Sequence, residues 1–97
     1  MTARTKRYLP IEIAKLALAS TAHVTQDEGP RLTAAGMARS EYGWLLWIGG
    51  TTTPAGIDWP MSPGLRGAIA AARQVGAQYL LLDRDASELE GVPTYEW

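Results

Sequence analysis

Cysteine is absent from the 97-residue chain, which excludes a disulfide, a thiolate nucleophile and a cysteine-ligated zinc. Histidine occurs once, at His23. No apolar run approaches the roughly 20 residues that a membrane-spanning helix needs, and the basic start (Arg4, Lys6, Arg7) is followed by no signal-peptide core with a cleavage site. A surplus of one charge is also missing: the net charge is −1, so binding to duplex nucleic acid by bulk charge is not expected. Neither a Gly-rich phosphate loop nor nucleophile-elbow spacing occurs. No catalytic residue, metal-ligand set or cofactor is therefore assigned, and the expectation is a soluble, cytoplasmic, non-enzymatic protein.

What is present is ordinary globular composition, with 46% hydrophobic and 20% charged residues, enough for one domain over residues 1–97 with a flexible lead-in at 1–10. The charges are unevenly placed. Residues 1–7 carry three bases, whereas residues 83–97 carry five acids and one base. An acidic end of this kind is a solvated face or a patch for a basic partner.

In residues 11–19, Ala14, Leu16 and Leu18 alternate with the less apolar Ile13, Lys15 and Ala17, the period of a half-buried strand. Thr25 and Glu28 have capping-box spacing for a helix running to about Ala38. Pro30 would then fall at the fifth position and distort the first turn. Its inward face would be Leu32, Ala35 and Ala38. Residues 42–48 are apolar on both faces, which suits a central strand covered on each side. The long connection over 51–63 holds Pro54, Gly56, Trp59, Pro60 and Pro63, and favours neither helix nor strand. Ser62 as N-cap, Pro63 at the first helical position and Gly76 at the end bound a second helix. Its inner face would be Leu65, Ala68, Ile69, Ala72 and Val75, with Arg66, Arg73 and Gln74 outward. Residues 79–82 form the last strand. The order strand, helix, strand, helix, strand predicts a small α/β sandwich of two or three layers, with a three-stranded parallel or mixed sheet and an aromatic C-terminal tail.

Two constellations follow. If the first and last strands are parallel, the segments leaving them share a rim of the sheet, bringing Thr21, His23, Asp83 and Asp85 together as a candidate small-ligand or metal site. The plainer alternative has Thr21 and His23 bonding loop backbone while Asp83 and Asp85 end the strand. The second constellation is aromatic. At least one of Trp44 and Trp47 belongs in the core. Trp59, between Asp58 and Pro60, is either a lid folded over the sheet or an exposed anchor for a partner. Tyr95 and Trp97 alternate with Glu96 as in an edge strand or a docked tail.

The stretch Ser20-Thr21-Ala22-His23-Val24-Thr25, the Tyr42-Gly43-Trp44 opening, Leu82-Asp83-Arg84-Asp85-Ala86 and the ending Gly91-Val92-Pro93-Thr94-Tyr95-Glu96-Trp97 together resemble a family of small bacterial proteins of unknown function carried on plasmids, integrative elements and prophages. Glu96 stands where that family usually has Asp. The resemblance implies a genomic setting and no catalytic residues. Small proteins of such elements often bind a host or element-encoded protein, including defence complexes targeted by anti-CRISPR-like and anti-restriction-like inhibitors. The leading expectation is therefore protein–protein binding, with Trp59, Asp85, Glu88 and Glu90 as the candidate contact surface. The small-ligand or metal rim is the alternative, and self-association through a sheet edge or the aromatic tail is a third reading.

Overall fold

The computed structural model describes residues 11–35, 37–41, 43–50, 54 and 56–97; the lead-in at 1–10, Gly36, Tyr42 and residues 51–53 and 55 of the long connection lie outside the described residues. The chain runs β1 (Leu16–Ser20), a single 3-10 turn (Thr21–His23), α1 (Glu28–Ala34), β2 (Ala38–Ser40), β3 (Gly43–Trp47), α2 (Pro63–Gln74) and β4 (Tyr79–Asp83). The sheet is mixed, in the order β1-β4-β3-β2. β1 lies parallel to β4, with Leu16 beside Tyr79 and Ser20 beside Asp83. β3 is antiparallel both to β4 and to β2. Three strands were legible in the sequence, and the short β2 joins them.

α2 forms for the reasons its sequence gives. Ser62 accepts a hydrogen bond from the Leu65 N–H through its side chain, and Pro63 opens the helix where no donor is needed. Gly76, at φ 78°, takes the left-handed turn that ends it. Leu65, Ala68, Ile69 and Ala72 are buried, but Val75 is 62% exposed instead of continuing the inner face. The helix has already ended at Gln74, so Val75 no longer follows its stripe.

α1 is shorter than its sequence suggests. Thr25 and Glu28 exchange both capping-box hydrogen bonds at 3.2 Å. Helical geometry starts at Glu28, so Pro30 is the third residue, where its missing N–H has no intrahelical partner to lose. Ala35 N–H to Arg31 O and Met37 N–H to Leu32 O close the helix, and Ala38 enters β2.

The core has one address. Ala19 of β1, Trp44 and Leu46 of β3, and Leu80 and Leu82 of β4 pack with Leu32 of α1 and the buried stripe of α2. Both helices therefore cover the same face, and the domain has two layers. Two expectations change as a result. In β1 the inward residues are Ala17 and Ala19, while Leu16 and Leu18 face outward at 49% and 55% exposure. Small alanines at the sheet surface let the Ala68 and Ala72 side of α2 approach closely. β3 is central in the sheet, but the described helices cover its Trp44 and Leu46 face alone, and Trp47 is 49% exposed.

Candidate functional site

The parallel pairing of β1 and β4 does bring their two exits side by side, as Ser20 opposite Asp83. The predicted rim does not assemble there as a ligand site. His23 is fully buried. The Leu89 N–H donates to its Nε2 at 2.9 Å, so Nδ1 carries the proton and donates to the Pro93 carbonyl at 2.8 Å. Both ring nitrogens are thus used to fasten residues 89–93 over the 3-10 turn. Asp83 turns its carboxylate onto the Asp85 N–H at 2.8 Å, an Asx turn that ends β4. Thr21 lines a shallow groove with Arg84, Glu88 and Tyr95, apart from the His23 ring. Among the described residues no group of three or more His, Asp or Glu is placed to hold a metal ion.

The acidic tail is docked by its aromatics and forms no strand. Tyr95 N–H donates to Ala22 O at 2.7 Å, its hydroxyl accepts from the Gly64 N–H at 3.1 Å, and Trp97 Nε1 donates to Val24 O at 2.9 Å. The contact at α2 requires glycine: a Cβ on Gly64 would stand 2.3 Å from His23 O and 2.6 Å from the Tyr95 ring. Asp85, Glu88 and Glu90 remain exposed on this strap.

Trp59 is not the exposed anchor that its Pro-flanked position allows. It is half-buried against the core, and its indole N–H donates to Glu28 Oε2 at 3.2 Å, with Arg31 stacked 5.9 Å from the ring. Glu28, 4% exposed, is the centre of this arrangement. Its carboxylate also accepts from Thr25 N–H, Ser62 N–H (2.8 Å) and Ser62 Oγ (2.6 Å). Burial alone pushes the Glu28 carboxyl up. The hydrogen bonds from Ser62 Oγ, Ser62 N–H, Thr25 N–H and Trp59 outweigh it and hold the group below its ordinary value of 4.5. One carboxylate thus joins the starts of both helices.

What sequence reasoning missed is the outer face of the sheet. Leu16 and Leu18 of β1, Tyr79 and Leu81 of β4, and Leu45 and Trp47 of β3 share it by strand alternation and register. Leu16–Tyr79–Trp47 and Leu18–Leu81–Leu45 form two parallel apolar rows. All six side chains are exposed or partly exposed, and no described helix crosses them. The signal was in the sequence: residues 42–48 are apolar on both sides, yet the described fold covers one side only. Beyond the two rows, Asp83 continues the outer face of β4 towards the acidic strap.

No described helix is long and apolar enough to cross a membrane. No curated protein and no solved structure matches the chain. Residues 16–97, which take in every described strand, both described helices and the docked tail, match the model of a family of unknown function described as the DUF5983 C-terminal domain, and the chain belongs to that family.

Proposed function

We propose that this chain is a non-enzymatic protein-binding module whose contact surface is the outer face of its sheet. The observation that carries the reading is the pair of apolar rows Leu16–Tyr79–Trp47 and Leu18–Leu81–Leu45, which no described helix covers, while both helices pack on the opposite face. A contiguous apolar patch centred on an aromatic residue is the kind of surface that a partner buries. The acids beside it, Asp83 at the end of the outer face and Asp85, Glu88 and Glu90 on the strap, suit a partner with an apolar centre and a basic rim. Trp59 has no part in this surface, because its indole is engaged with Glu28.

The setting we propose is the cytoplasm, with the chain as an accessory protein of a mobile genetic element that binds a host complex, a defence complex being the leading target class. This rests on the sequence resemblance and on the acidic, apolar character of the surface. The ligand-site alternative has little left to stand on, since both nitrogens of His23 are bonded to backbone.

Affinity capture with wild type, Trp47→Asp and Asp85→Lys tests the reading. A partner that wild type recovers should be lost in Trp47→Asp and weakened, with altered salt dependence, in Asp85→Lys. Equal recovery by Trp47→Asp and wild type overturns the open face as the contact surface.

A further inference from the structure

The edge of the sheet at β1 carries an inference independent of the open-face reading. Among the described residues β1 is a terminal strand of the sheet, with β4 as its one partner. Lys15 turns both its backbone groups towards β4: its N–H donates to the Gln78 side chain, and its C=O accepts from Gln78 and Tyr79. Backbone groups alternate along a strand, so those of Leu16 and Leu18 point out of the open edge. Beside this edge, on the helix side, runs an apolar groove lined by Ala17, Ala19, Ala68, Ala71, Ala72 and Val75. Five alanines leave room there for larger side chains.

The same chain carries two unburied side chains of the right kind. Ile11 and Ile13 are 88% and 87% exposed and lead into β1 with neither helix nor turn between. By alternation they belong to the face of Ala17 and Ala19, the face on which the groove opens. They cannot reach their own groove along the strand, because Ile13 precedes Ala17 by about 13 Å at about 3.3 Å per residue. A second copy, running antiparallel, removes that separation.

We infer that the chain forms a two-fold dimer by antiparallel pairing of β1 with β1 of a second copy, Ile13 and Ile11 of each lying along the alanine groove of the other. Centred on Leu16, the pairing sets Leu16 opposite Leu16, Leu18 opposite Ala14 and Ile13 opposite Ala19 of the second copy. Lys15 then faces Ala17 of the second copy, and its Nζ keeps its bond to Val75 O. The outward groups of Leu16 and Leu18 gain partners, and the contact is isologous, as a two-fold requires. Covering Ile11, Ile13, Val75 and the open edge of β1 removes on the order of 500 Å² from each copy, or about 1,000 Å² in total, the lower limit for a specific interface. The two sheets become one of eight strands, with the open apolar faces side by side.

Light scattering and cysteine crosslinking of the full chain test this. Wild type should have twice the chain mass at micromolar concentration. Ile11→Asp combined with Ile13→Asp, at two exposed positions, should give the single-chain mass with unchanged circular dichroism. Because the chain has no cysteine, Leu16→Cys introduces the only thiol. Opposed residues in a hydrogen-bonded antiparallel pair sit about 5.5 Å apart at Cα, within disulfide reach, so this variant should crosslink to a dimer on mild oxidation. A single-chain mass for wild type overturns the inference, as does a dimer that persists in the double Asp variant or one in which Leu16→Cys fails to link.

Discussion

Trp47 and Tyr79 stand opposite each other on β3 and β4 and meet edge to face, ring centroids 5.0 Å apart and planes at 67°, on the side of the sheet away from the described helices. Three residues earlier on β3, and so on the opposite face of the sheet, Trp44 is buried under the helices with its indole N–H on Thr33 Oγ1.

The two tryptophans of this strand should therefore answer mutation differently. Trp44→Ala empties a core site and is expected to destabilise the domain by about 3–5 kcal/mol. Trp47→Ala loses an aromatic pair at a half-exposed site, and about 1 kcal/mol is expected. Urea titration of both variants measures the difference. Equal losses would mean that the outer face is covered in the free protein.

Glu28→Gln keeps the shape of the carboxylate and replaces one acceptor oxygen with a donor. The Trp59 indole and the Ser62 N–H donate to Oε2 and the Thr25 N–H donates to Oε1, so an amide in either orientation leaves a donor facing a donor. A loss of about 2–3 kcal/mol at neutral pH is expected, measured by denaturant unfolding.

Acid should erase that difference. The Glu28 carboxyl is held below 4.5 in the folded chain, so its contribution is fully present above the ordinary value and is lost as pH falls through the depressed one. The stabilities of wild type and Glu28→Gln are expected to converge below about pH 4.5, where the unfolded-state group takes up its proton first. A gap that widens with acid contradicts the assignment.

His23→Ala removes the acceptor for the Leu89 N–H and the donor to Pro93 O, leaving both without their present partner. The expected loss is about 2–4 kcal/mol, with amide exchange rising first over residues 84–97 while β4 and α2 stay protected. If exchange in that strap is unchanged, His23 is not what fastens it.

Both helices and three of the four described strands were legible because their signals are local; the short β2 falls where the first helix was expected to end. Ser62, Pro63 and Gly76 delimit α2, and Thr25 with Glu28 makes a capping box that the structure reproduces. Facing was not local. Leu16 and Leu18 are larger than Ala17 and Ala19, so the sequence favours them as the inner residues, whereas close packing against the alanines of α2 puts the small ones inside. The Pro-flanked position of Trp59 gives no hint of its partner, because the bond to Glu28 spans 31 positions. The single histidine looked like chemistry for the same reason: Leu89 and Pro93, which occupy it, are 66 and 70 positions away. The two-sided apolarity of residues 42–48 led to an expectation of cover on both faces, whereas the described elements cover only the Trp44 and Leu46 face.

The central claim is that the open sheet face binds a protein partner, and the most direct test is calorimetric titration of the captured, purified partner into wild type and Trp47→Asp, with melting curves recorded for both. The account predicts a negative heat-capacity change for wild type and a Kd at least tenfold weaker for Trp47→Asp, with a melting midpoint lowered by about 4–8 °C and the variant still folded at the titration temperature. An equal Kd in the two proteins would contradict it.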